Sequence, residues 1–86
     1  MTQDDLFAKW KHRIGKDWYG LDSIPDAWCP TIDYSLHRIE KLDPEFEIHQ
    51  IKLKFGGCRF YIQGNDEAKE VARAVEKILF DEALIY

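Results

Sequence analysis

The chain has 86 residues, 45% of them apolar, with twelve aromatics and a net charge of −4. That length holds one domain, residues 1–86, with a small core, and the composition excludes a disordered chain. No apolar run approaches the ~18 residues of a membrane span. The start, MTQDDLFAKWKHRIG, lacks the apolar stretch of a secretion signal. A cytoplasmic location with Cys29 and Cys58 as reduced thiols is therefore expected.

Thr2-Gln3-Asp4-Asp5 has the form of a helix start, with Thr2 as cap and Asp5 as the shorter version of the usual capping-box acid. Leu6, Phe7, Trp10 and Ile14 recur at helical spacing and predict one apolar stripe on a helix of about 12 residues. Lys9, Lys11, His12 and Arg13 suit its C-terminal end, and Gly15 its stop.

Asp17 to Trp28 is a loop by composition, with Gly20, Pro25 and several aspartates. It also holds Trp18, Tyr19, Leu21, Ile24 and Trp28. Because aromatic side chains dominate burial in small domains, the favoured expectation is that this loop closes the core. Pro30 fits the first turn of a second helix. Ile32, Leu36 and Ile39 form its buried stripe with Ser35 beside it, while Asp33, His37, Arg38, Glu40 and Lys41 fall away. Asp43-Pro44 ends that helix.

Ile48 to Gln63 reads as a β-hairpin turning at Gly56-Gly57, since a two-residue turn needs positive φ. The implied pairs are Phe55 with Cys58, Leu53 with Phe60 and Ile51 with Ile62, all facing inward. Gln50, Lys52 and Lys54 then share the outward face with Arg59, Tyr61 and Gln63, and Lys54 lies opposite Arg59. Phe46 and Ile48 are apolar on even positions, whereas Ile51 and Leu53 are apolar on odd ones. Either the strand starts near His49 or a bulge lies between Ile48 and Gln50. Asn65 is a cap for a third helix, whose stripe is Ala68, Val71, Ala72, Val75, Ile78 and Leu79. The tail beyond it, Leu84 to Tyr86, is apolar enough to fold back or to join two copies.

These elements predict a small two-layer α+β domain, ordered helix-helix-β-hairpin-helix, with the helices packed on one face of the antiparallel hairpin. No catalytic or nucleotide-binding motif is present, and an enzyme is not expected. Cys29, His37, His49 and Cys58 have no metal-site spacing, and Cys58 belongs to the inward face, so neither metal nor cofactor is expected. One constellation remains. Residues 48–63 carry three bases and no acid, although residues 17–47 sum to −6 and residues 64–86 to −3. Lys52, Lys54, Arg59 and Tyr61 on the outward hairpin face are the candidate binding residues. An acidic protein partner suits so small a basic patch. Nucleic acid is the alternative partner for the same face, and a homodimer joined by the tail is a third possibility.

The run Gln50-Ile51-Lys52-Leu53-Lys54-Phe55-Gly56-Gly57-Cys58-Arg59-Phe60-Tyr61-Ile62 resembles the IKEKFGGLRFY signature of small, uncharacterised proteins of bacteria and their phages. Trp18-Tyr19-Gly20 and Trp28-Cys29-Pro30-Thr31-Ile32-Asp33 resemble the segment that precedes that signature. The resemblance spans roughly Asp17 to Gln63 and implies an accessory protein of phage or mobile-element type with no settled activity. Many such proteins continue into a cysteine-rich, zinc-ribbon-like tail. Here no cysteine follows Cys58, so that implied metal site is not expected. Cys58 stands where the signature has leucine, which agrees with an inward apolar position, and Leu53 replaces a glutamate.

Overall fold

Thr2 Oγ1 accepts a hydrogen bond from the Asp5 amide at 3.2 Å, and Asp5 Oδ2 accepts one from the Thr2 amide at 3.0 Å. This reciprocal capping box starts α1, Gln3–Trp10. The computed structural model describes residues 1–15 and 20–83. Five further elements follow: β1, Gly20–Asp22; α2, Cys29–Leu42; β2, Glu47–Lys54; β3, Gly57–Gln63; and α3, Asp66–Ala83. The result is the expected α+β domain, in which helices cover one face of the hairpin.

α1 is shorter than its periodicity predicts. It gives way at Lys11 to a single 3-10 turn, and only Leu6 and Trp10 of its stripe are buried. Ile14 is half-buried and Phe7 is exposed. The 3-10 turn carries Ile14 into extended backbone, where it pairs with Ile48 of β2.

The segment read as a loop contributes a strand. β1 runs parallel to β2, with Leu21 opposite Ile51, and makes the sheet three-stranded in the order β1-β2-β3. Its three residues include one apolar side chain, too few to display alternation. Leu21, Ile24 and Trp28 are buried, so this part of the aromatic loop does close the core. Trp18 and Tyr19 lie outside the described residues, as does the tail Leu84 to Tyr86.

α2 begins with Pro30 in its first turn and buries Ile32, Ser35, Leu36 and Ile39. Asp33, expected to point away, is instead half-buried. It accepts a hydrogen bond from Trp10 Nε1 at 2.8 Å and pairs with Lys9 at 3.0 Å. Trp10 meets the His37 ring edge-on with centroids 4.9 Å apart. Burial acts to raise the Asp33 pKa, but the hydrogen bonds from Trp10 and Lys9, with the nearby charges of Lys9 and His37, hold it below the usual aspartate value. Arg13 pins the other side of α2: its guanidinium reaches Glu40 at 2.9 Å and the Pro44 carbonyl at 2.6 Å.

Asp43 closes α2 and Asn65 opens α3, and the two residues meet. Asp43 Oδ2 accepts from the Asn65 amide at 2.9 Å, and Asn65 Nδ2 donates to the Leu42 carbonyl at 2.8 Å. Asn65 Oδ1 caps α3 by accepting from the Ala68 amide at 2.9 Å. Ala68, Ala72, Val75 and Leu79 are buried, with Val71 half-buried. Ile78, expected in the stripe, is about half exposed.

The bulge reading of β2 is the correct one. The register slips between Ile48 and Gln50, so Ile48 faces Ile62 while Ile51 faces Phe60. One extra residue puts even and odd apolar positions on the same face. The expected turn is off by one residue. Phe55 and Gly56 are the turn residues, with φ of 53° and 77°, the signature of a type I′ turn. Cys58 therefore faces Leu53, Phe60 faces Ile51 and Arg59 faces Lys52. Every partner moves by two positions, so residues keep the parity of their faces, but two expected core residues lie outside the core: Phe55, now in the turn, and Leu53, which stands next to the tip opposite Cys58 and is 37% exposed. This register sets the buried Ile48 and Ile51 opposite the buried Ile62 and Phe60.

Candidate binding surface

The hairpin tip places Lys54, Phe55 and Arg59 in solvent, with Lys52 half-buried behind them. Phe55 is 87% exposed. Its left-handed backbone turns the ring away from the core, and Lys54 Nζ stands 5.5 Å from the ring centroid. Tyr61 is 49% exposed on the same outward face, opposite Gln50. The four candidate residues named from the sequence thus share one face. Lys54 and Arg59 are not direct cross-strand partners, as expected above; Lys52 takes that place.

α3 contributes cations that strand alternation alone does not reveal. Lys69, Arg73 and Lys77 are exposed and spaced by four residues, which puts them on one stripe of the helix. Arg73 and Lys77 join Lys54, Phe55 and Arg59 around a concavity of about 340 Å³. A second concavity, about 230 Å³, adds Lys69 and Tyr61. The four-residue spacing was the available signal; it was masked because six acids, Asp66, Glu67, Glu70, Glu76, Asp81 and Glu82, make residues 64–86 acidic in sum. Among the described residues, the ion pairs within 4.0 Å join Lys9 or His37 to Asp33 and Arg13 to Glu40; none involves this cluster.

Glu76 is the one carboxylate at both concavities, and its Oε2 accepts from the Phe60 amide at 3.2 Å. Cys58 lies beneath it. Burial pushes the Cys58 thiol up to about 12, helped by the Glu76 charge. That thiol stays protonated at neutral pH and is a poor nucleophile. Cys29 is also a free, buried thiol, raised by burial and then by Asp26, and its Sγ lies 3.7 Å from the Pro25 carbonyl oxygen. Among the described residues, no three His, Cys, Asp or Glu side chains gather in a metal-binding arrangement, and no helix is long and apolar enough to cross a membrane.

A different concavity, about 590 Å³, opens between α2 and α3, around Tyr34, Leu42, Ala74 and Ile78. Its wall also carries Thr31, Ser35, Arg38, Glu67 and Glu70, a mixed set with one cation against two carboxylates.

The chain matches no family model, no curated protein and no solved structure. The hairpin signature is therefore a likeness of residues, and the surface must be read from its own chemistry.

Proposed function

We infer that the protein is a non-catalytic binding module that captures an acidic segment of a partner protein on its basic hairpin face. The observation that carries this reading is the 340 Å³ concavity at which Lys54, Arg59, Arg73 and Lys77 converge beside an exposed Phe55. The four cations outweigh the single carboxylate of Glu76 and favour an approaching carboxylate, while the ring supplies contact area at small entropic cost. In this reading the protein is an accessory protein of phage or mobile-element type, supported by the likeness of its hairpin run to that signature, and it acts in the cytoplasm, supported by an N-terminus without an apolar signal stretch.

Single-stranded nucleic acid is a second reading, favoured by the same cations together with the exposed rings of Phe55 and Tyr61, on which bases stack. The acidic net charge and Glu76 oppose any anion; what weighs against this reading in particular is that a phosphate backbone demands a more extended positive footprint than this small cluster.

The test is a pair of NMR titrations at low salt, one with an Asp/Glu-rich 12-residue peptide and one with a 12-nucleotide oligothymidylate. The peptide is expected to shift the amides around Lys54, Arg59 and Arg73, and the double variant Lys54→Glu/Arg59→Glu to lose the effect. Equal peptide binding by a double variant that melts like the parent would remove this surface from consideration. Binding of the oligonucleotide alone transfers the assignment to nucleic acid.

A further inference from the structure

The outer face of the helix layer carries apolar side chains that the fold leaves uncovered. Tyr34 of α2 is 65% exposed and Ile78 of α3 is 49% exposed. Both line the 590 Å³ concavity, with Ala74 beside them. α2 ends and α3 begins where Asp43 meets Asn65, and the concavity follows both helices away from that point, from Leu42 to Thr31 and from Glu67 to Ile78. The two helices therefore run in opposite directions. Counting the equal rise of each helix from their junction, Lys41 stands level with Glu67, Arg38 with Glu70, and Tyr34 with Ala74. The cations belong to α2 and the carboxylates to α3. Among the described residues, no ion pair within 4.0 Å uses any of these four charges. The face shares no lining residue with either hairpin-tip concavity.

We propose that this face receives a second copy of the chain, with a two-fold axis laid along the groove between α2 and α3. That axis keeps each residue at its distance from the helix junction and sets α2 of one copy over α3 of the other. Arg38 and Lys41 then meet Glu70 and Glu67 of the second copy, and both pairs form twice by symmetry. Tyr34 lies over Ala74, whose small side chain leaves room for the ring, and within reach of Ile78. An axis across the helices would instead set α2 over α2 with the charged ends apart, so the charge pattern selects the first arrangement. α2 has 14 residues and is about 21 Å long, and two packed helices are about 20 Å across, for a footprint on the order of 400 Å² per copy. A standard interface takes roughly 800 Å² per partner, so a weak dimer is expected, with a Kd on the order of 10–100 μM. This dimer stands independently of the acidic-segment reading and leaves both hairpin tips uncovered.

The experiment is sedimentation equilibrium at about 0.1 M salt, where repulsion between net charges is screened but pairs in contact still act. The parent is expected to rise from monomer to dimer mass with concentration. Arg38→Glu and Glu70→Arg each bring like charges together twice, and each is expected to weaken self-association at least about tenfold. Mixed in equal amounts, the two variants are expected to recover association near the parent's, because each supplies the charge that the other's contact lacks. Both sites are exposed, and melting curves that match the parent's establish that the variants fold. Lys41→Glu with Glu67→Lys repeats the exchange at the second pair. A parent that stays monomeric up to about 1 mM overturns the proposal. So does dimerisation that persists unchanged in both single variants, which places the contact on another surface. A mixture that associates no better than its components overturns it as well.

Discussion

Phe55 sits at φ 53°, a backbone region that favours glycine and asparagine over bulky residues. A left-handed conformation costs an ordinary L-residue roughly 1–2 kcal/mol. What the ring returns is small. It is 87% exposed, so little area is hidden from water, and its contact with Lys54 at 5.5 Å is worth about 0.5 kcal/mol at such a site. Phe55→Asn replaces it with the residue that type I′ turns prefer ahead of glycine. The variant is expected to be about 1 kcal/mol more stable, which in a domain of this size raises Tm by roughly 4–8 °C. Urea unfolding followed by circular dichroism measures the change as a rise in midpoint at constant slope. The same substitution is expected to weaken binding of the acidic peptide, because the exposed ring is lost. A midpoint that stays put or falls refutes the turn assignment and the idea that the ring is retained for contact with a partner. Gly56→Ala is the control: a Cβ there has open space, yet φ of 77° makes it destabilising by about 1 kcal/mol.

Two further outcomes follow from the hydrogen-bond geometry. Asn65→Ala removes both the cap on Ala68 and the donation to Leu42, for a loss of about 2 kcal/mol in denaturant unfolding, whereas Asn65→Ser keeps a cap and loses about half as much. Equal losses in the two variants would show that the bond to Leu42 contributes nothing. Asp33 has a pKa below the ordinary 3.8, so it binds protons less readily folded than unfolded. Its stabilising effect is complete above the unfolded pKa and fades as pH falls through the lower folded one. Unfolding midpoints measured downward from about pH 5 should therefore fall more steeply in the parent than in Asp33→Asn, and parallel curves would refute the assignment.

Much of this fold was legible because its signals are local. The Thr2–Asp5 box, Pro30 in the first turn of α2 and Asn65 ahead of α3 each act within three or four residues, and the chain needs no distant partner to use them. The parity conflict between Ile48 and Ile51 announced the bulge, because a pleated strand has only two faces. What escaped depends on partners far along the chain. β1 is a strand only because β2 lies beside it. Asp33 looks like a surface acid until Trp10, 23 residues earlier, is brought against it. The Gly-Gly pair satisfied a turn rule that Phe55-Gly56 also meets at some strain, and the observed register, with Lys54 opposite Gly57, takes the second. At the candidate surface, strand alternation identified the outward face, but the proximity of Arg73 and Lys77 to Arg59 is a property of how α3 crosses the sheet.

The clasp of Asp43 and Asn65 bears on how this chain can vary. The end of α2 and the beginning of α3 are tied within hydrogen-bonding reach, so everything from Pro44 to Gly64 departs and returns through one gate. Closing a loop at its base makes the cost of its length nearly independent of what lies at its far end. The exposed side chains of the hairpin tip, Leu53, Lys54, Phe55 and Arg59, thus form a portable fingertip on a fixed knuckle, free to change for a new partner while Cys58 and the helices beneath keep their places.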